Sequence, residues 1–177
     1  IKGIEVVNED HDNVWVKVGA GENWHEWVSY ALSNSWFGLE NLALIPGRVG
    51  ASPIQNIGAY GVEVASYIDS VQFIDLDPSI DHLESVKNYN NKQCLFSYRN
   101  SIFKEKNNHR LIVSVTFRLA KSFTAQLSYP ALCDAIDKLQ LSCPNADDVF
   151  SSVVNLRNSK LPNPYEIPNA GSFFKNI

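Results

Sequence analysis

The 177 residues carry 15 Lys+Arg against 19 Asp+Glu, a formal net charge of −4, with 45% hydrophobic and 19% charged residues. That composition is globular and excludes a disordered chain, and the length suits one sizeable domain or one domain and part of another. The acidic balance offers no blanket attraction to nucleic acid or to an anionic membrane surface, so a phosphate ligand has to be held locally.

Residues 3–7 and 14–18 alternate like strands about a polar Glu9-Asp-His-Asp-Asn13 turn. Gly19 and Gly21 then break the pattern, and Trp24, Trp27, Val28, Ala31 and Leu32 recur at helical spacing as one apolar stripe. Residues 38–61 fit neither period and hold five of the nine glycines. Residues 66–76 and 110–119 read as strands, the second preceded by a charged loop over 104–109. Ala131, Leu132, Ala135, Ile136 and Leu139 form a helical face, with Pro130 suited to the first turn. A further helix is expected from Asn145 to about Arg157, because Asp147 and Asp148 favour its positive end. Residues 161–168 hold three of the eight prolines and read as an extended linker, and 169–177 begin something the chain does not finish. The mix is α+β rather than a strict βαβ alternation.

No apolar run approaches the roughly 20 residues of a membrane span, and the first residues lack a signal-peptide pattern. Cys94, Cys133 and Cys143 are odd in number and form no CxxC, which fits reduced thiols in a cytoplasmic protein. The sequence holds no Met, even at position 1, so it is expected to be an internal stretch of a longer gene product.

The most unusual segment is Ile45-Pro-Gly-Arg-Val-Gly-Ala-Ser-Pro-Ile-Gln-Asn-Ile-Gly-Ala-Tyr-Gly61. Its glycines let the backbone turn sharply and approach a ligand, successive N–H groups can form an anion concavity, and Ser52, Gln55 and Asn56 add side-chain hydrogen bonds. Ile54 and Ile57 are suited to pack against a planar ring. The segment reads as a pyrophosphate or cofactor loop, with a mobile surface loop as the alternative. Other phosphate signatures fail: Trp24 stands where the third glycine of a dinucleotide fingerprint belongs, and GxxxxGK[ST] is absent. Ile54 likewise occupies the second glycine position of a nucleophile elbow around Ser52. His11, His25, His82 and His109 have no partner at metal-ligand spacing, so each is expected to be a solvated surface histidine and no metal site is expected.

Tyr98-Arg99 puts a phenol beside a guanidinium able to hold a carboxylate, but spacing alone favours a surface Arg next to a core Tyr. Arg157 and Lys160 suit either a diphosphate clamp or the cationic end of a helix. Ser172, on the turn Asn169-Ala-Gly-Ser172, lacks a nearby base in sequence and is no convincing nucleophile, but it remains a candidate proton donor to a carbanion.

Six stretches together, in this order, resemble the UDP-N-acetylenolpyruvoylglucosamine reductase (UDP-N-acetylmuramate dehydrogenase) family in its longer-chain subtype. They are Val18-Gly-Ala-Gly-Glu-Asn-Trp24, Gly38-Leu-Glu-Asn-Leu-Ala-Leu-Ile-Pro-Gly47, Ser52-Pro-Ile-Gln-Asn-Ile-Gly-Ala-Tyr-Gly61, Tyr98-Arg-Asn-Ser-Ile-Phe103, Lys160-Leu-Pro-Asn-Pro164 and Asn169-Ala-Gly-Ser-Phe-Phe-Lys-Asn176. The resemblance implies an FAD enzyme of cytoplasmic peptidoglycan synthesis in which NADPH reduces the flavin. Hydride then passes to C3 of UDP-N-acetylglucosamine enolpyruvate, and protonation at C2 gives UDP-N-acetylmuramate. It implies that Arg99 binds the substrate carboxylate and stabilises the enolate, and that Ser172 protonates C2. Flavin contacts are implied at Pro46, Gly47, Val49, Gly50, Ser52, Pro53, Asn56, Ile57, Gly58, Gly61, Val62 and Ile112. Substrate contacts are implied at Tyr98, Tyr129, Arg157, Lys160 and Asn176.

In fold, the resemblance implies the second subdomain of a two-part FAD-binding fold over residues 1–160, an antiparallel sheet with surrounding helices. Residues 161–177 would be a linker and the beginning of a substrate-binding domain. Another Gly-rich flavin loop is expected ahead of Ile1, and a carboxylate that assists the serine beyond Ile177. Arg48 departs from the small or neutral residue expected there. The reading from another class is a non-catalytic nucleotide- or phosphate-binding module.

Overall fold

A computed structural model describes residues 1–76, 86–105, 109–141, 143–160 and 166–167. Among the described residues seven strands form: β1 (Ile4–Glu9), β2 (Asn13–Gly19), β3 (Gly58–Ala59), β4 (Val62–Glu63), β5 (Ile68–Asp75), β6 (Lys87–Asn90) and β7 (Arg110–Ala120). Three α-helices accompany them among the same residues: α1 (Trp24–Ser33), α2 (Pro130–Asp137) and α3 (Ala146–Lys160). Five strands make one antiparallel sheet in the order β1-β2-β7-β5-β6, while β3 and β4 pair apart from it. The expected α+β architecture, an antiparallel sheet with helices around it, is the one observed.

The sheet follows from alternation. Val14, Val16 and Val18 of β2 point to one side and are fully buried, while Trp15 on the other face donates its indole N–H to Asp69 at 3.1 Å. β7, in the middle, is buried over consecutive residues 112–117, as a strand covered on both faces must be. α1 lays Trp24, Trp27, Val28 and Ala31 on the sheet, with both indoles against the Phe117 ring at 6.0 and 5.5 Å.

Local chemistry sets the helix ends. Asn23 caps α1 by accepting from the Glu26 N–H, and Pro130 opens α2. Asn145 and Asp148 exchange side-chain-to-backbone bonds at 3.0 and 2.8 Å where α3 begins, and α3 runs to Lys160, three residues beyond the expected Arg157. The Lys104–His109 loop is described only in part, and the expected linker and final segment lie outside the described residues apart from Glu166 and Ile167.

Gly38 joins α1 to a short 3₁₀ turn, Glu40–Leu42, with φ at 129°, and a Cβ there would meet the Tyr67 ring. Gly38→Ala therefore combines a disfavoured φ with overpacking. The expected result is a loss of about 3 kcal/mol, seen as a fall of roughly 6–12 °C in Tm by circular dichroism. An unchanged Tm would mean that Tyr67 swings aside at no cost.

Candidate functional site

The glycine-rich segment is not a mobile surface loop. Val49, Ser52, Pro53, Asn56 and Val62 are buried within it, and only parts such as Pro46, Gly47, Ile54 and Gly61 face outward. The segment docks edge-on to the turn after β2: Val49 N–H donates to Glu22 C=O at 2.9 Å and Gly50 N–H to Ala20 C=O at 3.0 Å. Two 3₁₀-like turns follow, so the N–H groups of Ala51, Ser52, Ile54, Asn56 and Ile57 are also given to carbonyls inside the loop. The anion concavity expected from the glycine spacing is therefore not formed over residues 49–57. Arg48 lies exposed and donates through Nη1 to Gly21 C=O at 3.2 Å, so its charge is held at the rim.

Asn56 is likewise spent within the protein. Its amide donates to Glu63 Oε2 at 2.8 Å and to Ser97 C=O at 3.1 Å, and its Oδ1 accepts from Ala65 N–H at 3.0 Å. These bonds fasten the loop to the hairpin β3–β4, whose tip residues Tyr60 and Gly61 both have positive φ, 48° and 81°. Asn41 holds the tip from below, donating to Tyr60 C=O at 2.9 Å and Gln126 C=O at 2.8 Å.

Arg99 grips the base of the same hairpin. Its Nη1 donates to Asn56 C=O at 3.2 Å and its Nη2 to Gly58 C=O at 2.6 Å, with Glu63 at 3.9 Å and the Tyr98 ring at 5.2 Å. A Cβ on residue 58 would sit 2.5 Å from Nη1, so glycine is what lets the guanidinium lie against the backbone. Two of its five N–H donors are thus committed, and the rest are available to a planar anion. Ser101 adds a bond to Ile54 C=O at 2.7 Å, which makes residues 97–101 and 54–63 one unit.

The hairpin tip meets two of the other predicted substrate residues, Tyr129 and Arg157. Tyr60 packs edge-on to Tyr129 with centroids 5.3 Å apart. The Tyr60 phenol is pushed up by burial and pulled back by the Arg157 charge, and the Arg157 guanidinium is lowered by burial and supported by Tyr60. Arg157 Nε donates to Leu44 C=O at 3.1 Å, and among the described residues its Nη groups meet no acceptor. Lys160 is exposed at the end of α3, one turn beyond Arg157. Ser172 and Asn176 lie outside the described residues. β3–β4 therefore joins Arg99 at one end to Tyr60, Tyr129 and Arg157 at the other.

Ile112, on β7, lies with Gly50 in a separate open groove of about 470 Å³, with Ala20, Gly21, Ala51 and Ile54 beside them. Small residues on two loops and branched side chains below give this groove an apolar floor that suits a flat ring. The Ser52 hydroxyl, next in sequence to Ala51, is buried with no hydrogen-bond partner among the described residues. An apolar floor suits a flat ring such as a flavin's, and the N–H groups of Val49, Gly50, Ala51, Ser52, Ile54, Asn56 and Ile57 are already paired within the protein. Ile54 is exposed at the groove, as a ring-packing residue must be, and Ile57 is half-buried under the loop.

His25 contradicts its sequence expectation. It is half-buried rather than solvated: its ring stacks on Phe150 at 5.5 Å and 7°, and Nδ1 accepts the Leu44 N–H at 3.1 Å. Burial holds its pKa below the usual histidine value, against the opposing pull of Glu26. His11 and His109 are exposed as expected, and His82 lies outside the described residues. Among the described residues no group of three or more His, Cys, Asp or Glu is arranged to hold a metal, and no helix is long and apolar enough to cross a membrane. Cys94 is buried with its thiol pushed up to about 12, which makes it a packing residue. Sequence reasoning missed the contacts that Asn41, Tyr60 and His25 make around the candidate site. For the first two the signal was present, since both sit within glycine-bounded stretches whose polar and aromatic residues need an internal partner.

A family model described as an FAD binding domain matches residues 2–83. The chain is 44% identical over 99% of its length to a UDP-N-acetylenolpyruvoylglucosamine reductase of Amoebophilus asiaticus, covering 51% of that protein. It is 46% identical to that of Burkholderia lata, covering 50%, and 48% identical to that of Pseudoalteromonas atlantica, covering 48%, in each case over 99% of this chain. The chain thus spans about half the length of the curated relatives it matches. In fold it is similar to a UDP-N-acetylenolpyruvylglucosamine reductase from Thermus caldophilus, with TM-score 0.55 and 20% identity, over 82% of this chain and 44% of that one. Similarity of this strength, sustained along one continuous stretch that also carries the loop, hairpin and clamp described above, makes the chain homologous to UDP-N-acetylenolpyruvoylglucosamine reductases over about half of their length.

Proposed function

We propose that the protein carrying this chain reduces UDP-N-acetylglucosamine enolpyruvate to UDP-N-acetylmuramate in the cytoplasm, using FAD and NADPH, for peptidoglycan synthesis. The observation that carries the reading is the 44–48% identity to reductases along 99% of the chain. FAD, when bound, would supply the two-electron chemistry that links NADPH oxidation to reduction of the enolpyruvyl ether. The groove formed by Gly50, Ala51, Ile54 and Ile112 holds the flavin's flat face, supported by the remaining loop residues Pro46 to Val62.

Arg99 binds the substrate carboxylate with the donors it does not spend on Asn56 and Gly58, and it stabilises the negative charge that develops as C3 gains hydride. The Ser172 hydroxyl gives its proton to C2 and is reprotonated from solvent. Tyr98, Tyr129, Arg157, Lys160 and Asn176 hold the UDP-sugar. Arg157 suits a diphosphate, because a half-buried guanidinium with uncommitted Nη groups gains most from an anionic partner.

The test is purification of the complete protein, a flavin absorbance spectrum, and NADPH oxidation with and without UDP-N-acetylglucosamine enolpyruvate. Bound flavin and substrate-dependent NADPH oxidation are expected. A colourless protein that still binds UDP-sugars would be the non-catalytic nucleotide-binding module instead.

A further inference from the structure

We propose that His25 is a positioning residue for the sugar-nucleotide side of the site: it fixes the Leu44 peptide, and through that peptide the guanidinium of Arg157. The inference rests on the proposed function in one respect, the reading of Arg157 as a substrate contact.

The chain of contacts is continuous. Leu44 has φ at 57°, a conformation that is costly for a branched side chain and persists only where its surroundings hold it. Both polar groups of this residue are taken from outside its own loop. Its N–H donates to His25 Nδ1 on α1 at 3.1 Å, and its C=O accepts from Arg157 Nε on α3 at 3.1 Å. The His25 ring also lies flat on Phe150, seven residues before Arg157 and so on the same face of α3.

α3 is therefore referenced to α1 twice, once by ring stacking and once through the Leu44 peptide. A guanidinium bonded at Nε has its plane restrained, so its Nη groups are held near the Tyr60 phenol in one orientation rather than swept over a cone. Accepting from Leu44 at Nδ1 leaves the neutral His25 ring with its proton on Nε2.

Two substitutions separate the acceptor from the ring. His25→Phe keeps a flat ring for Phe150 and removes the acceptor. His25→Asn loses the ring but puts an amide oxygen near the position of Nδ1. In the uniformly ¹⁵N-labelled protein without substrate, hydrogen exchange of the Arg157 Nε–H is expected to quicken about tenfold in His25→Phe and to return most of the way in His25→Asn. In the flavin-loaded protein, KM for UDP-N-acetylglucosamine enolpyruvate is expected to rise about tenfold in His25→Phe, with a much smaller change in kcat, and to be largely rescued in His25→Asn.

Equal damage in the two variants would make His25 a packing residue and overturn the proposal, as would unchanged KM in His25→Phe. If His25→Phe fails to fold, His25→Gln, which shifts the acceptor away from Leu44, takes its place with the same expectations. Altered exchange at Arg157 in a protein whose wild type has no affinity for the sugar nucleotide would sink the proposed function and leave the clasp standing, which keeps the two failures apart.

Discussion

Replacing Arg99 by lysine in the complete protein is expected to slow enolpyruvyl reduction on the order of a hundredfold, while flavin affinity changes only a few-fold. The magnitude is that of removing one preorganised donor to a developing anion, about 10²–10³. The direction follows from geometry. The guanidinium spans two carbonyls, Asn56 at 3.2 Å and Gly58 at 2.6 Å, and still has donors to offer in the same plane. A lysine ammonium is a point charge that can bind one carbonyl or face the carboxylate, and it cannot do both with fork geometry. Stopped-flow absorbance at the flavin band, following reoxidation by substrate, measures the effect. Collapse of flavin affinity with hydride delivery intact would make Arg99 a cofactor contact.

Ser172→Ala is expected to have the second large effect, a loss of about 10²–10⁴ in completing the reaction, the usual contribution of a positioned general acid. NADPH should still reduce the flavin at its normal rate, because the proton is needed only after hydride has reached C3. Cysteine at this position should restore part of the rate, since a thiol also delivers a proton. If Ser172 merely caps the turn before Phe173, alanine would cost about 1 kcal/mol of stability and slow neither half-reaction much. Normal reoxidation with normal product from the alanine variant would remove Ser172 from the mechanism.

Where a segment's structure follows from its own pattern, the sequence was enough. Val14, Val16 and Val18 alternate, Trp24 to Ala31 recur at helical spacing, and both patterns became the elements they imply. β6 escaped because Lys-Asn-Tyr-Asn has no apolar alternation: it is an edge strand whose pairing with β5 supplies its regularity. The glycine-rich segment was legible as a packed loop from its Ile, Val and Ala content. Its N–H groups were misjudged, because glycine spacing reports backbone freedom and says nothing about which carbonyls lie opposite. The Ala20 and Glu22 acceptors come from a distant turn.

His25 was misjudged for a related reason. It sits at the margin of the α1 stripe, and its partners Leu44 and Phe150 are far along the chain, so no local signal distinguishes it from a solvated histidine. The roles proposed for Arg99 and Arg157 came from resemblance. Spacing alone could not show that β3–β4 links them.

The strand order also governs when the domain can form during synthesis. β7 sits between β2 and β5, yet it is made long after both, since Gly19 pairs with Ser114. At roughly 5–20 residues per second, a ribosome leaves the β1–β2 hairpin and the α1 tryptophans without their central partner for about 5–20 s. Through that interval Val14, Val16, Val18, Trp24 and Trp27 have no Phe117 to cover them. The nascent chain is thus most prone to aggregation or chaperone capture just before β7 emerges, and sheet closure of such high contact order sets the pace of folding.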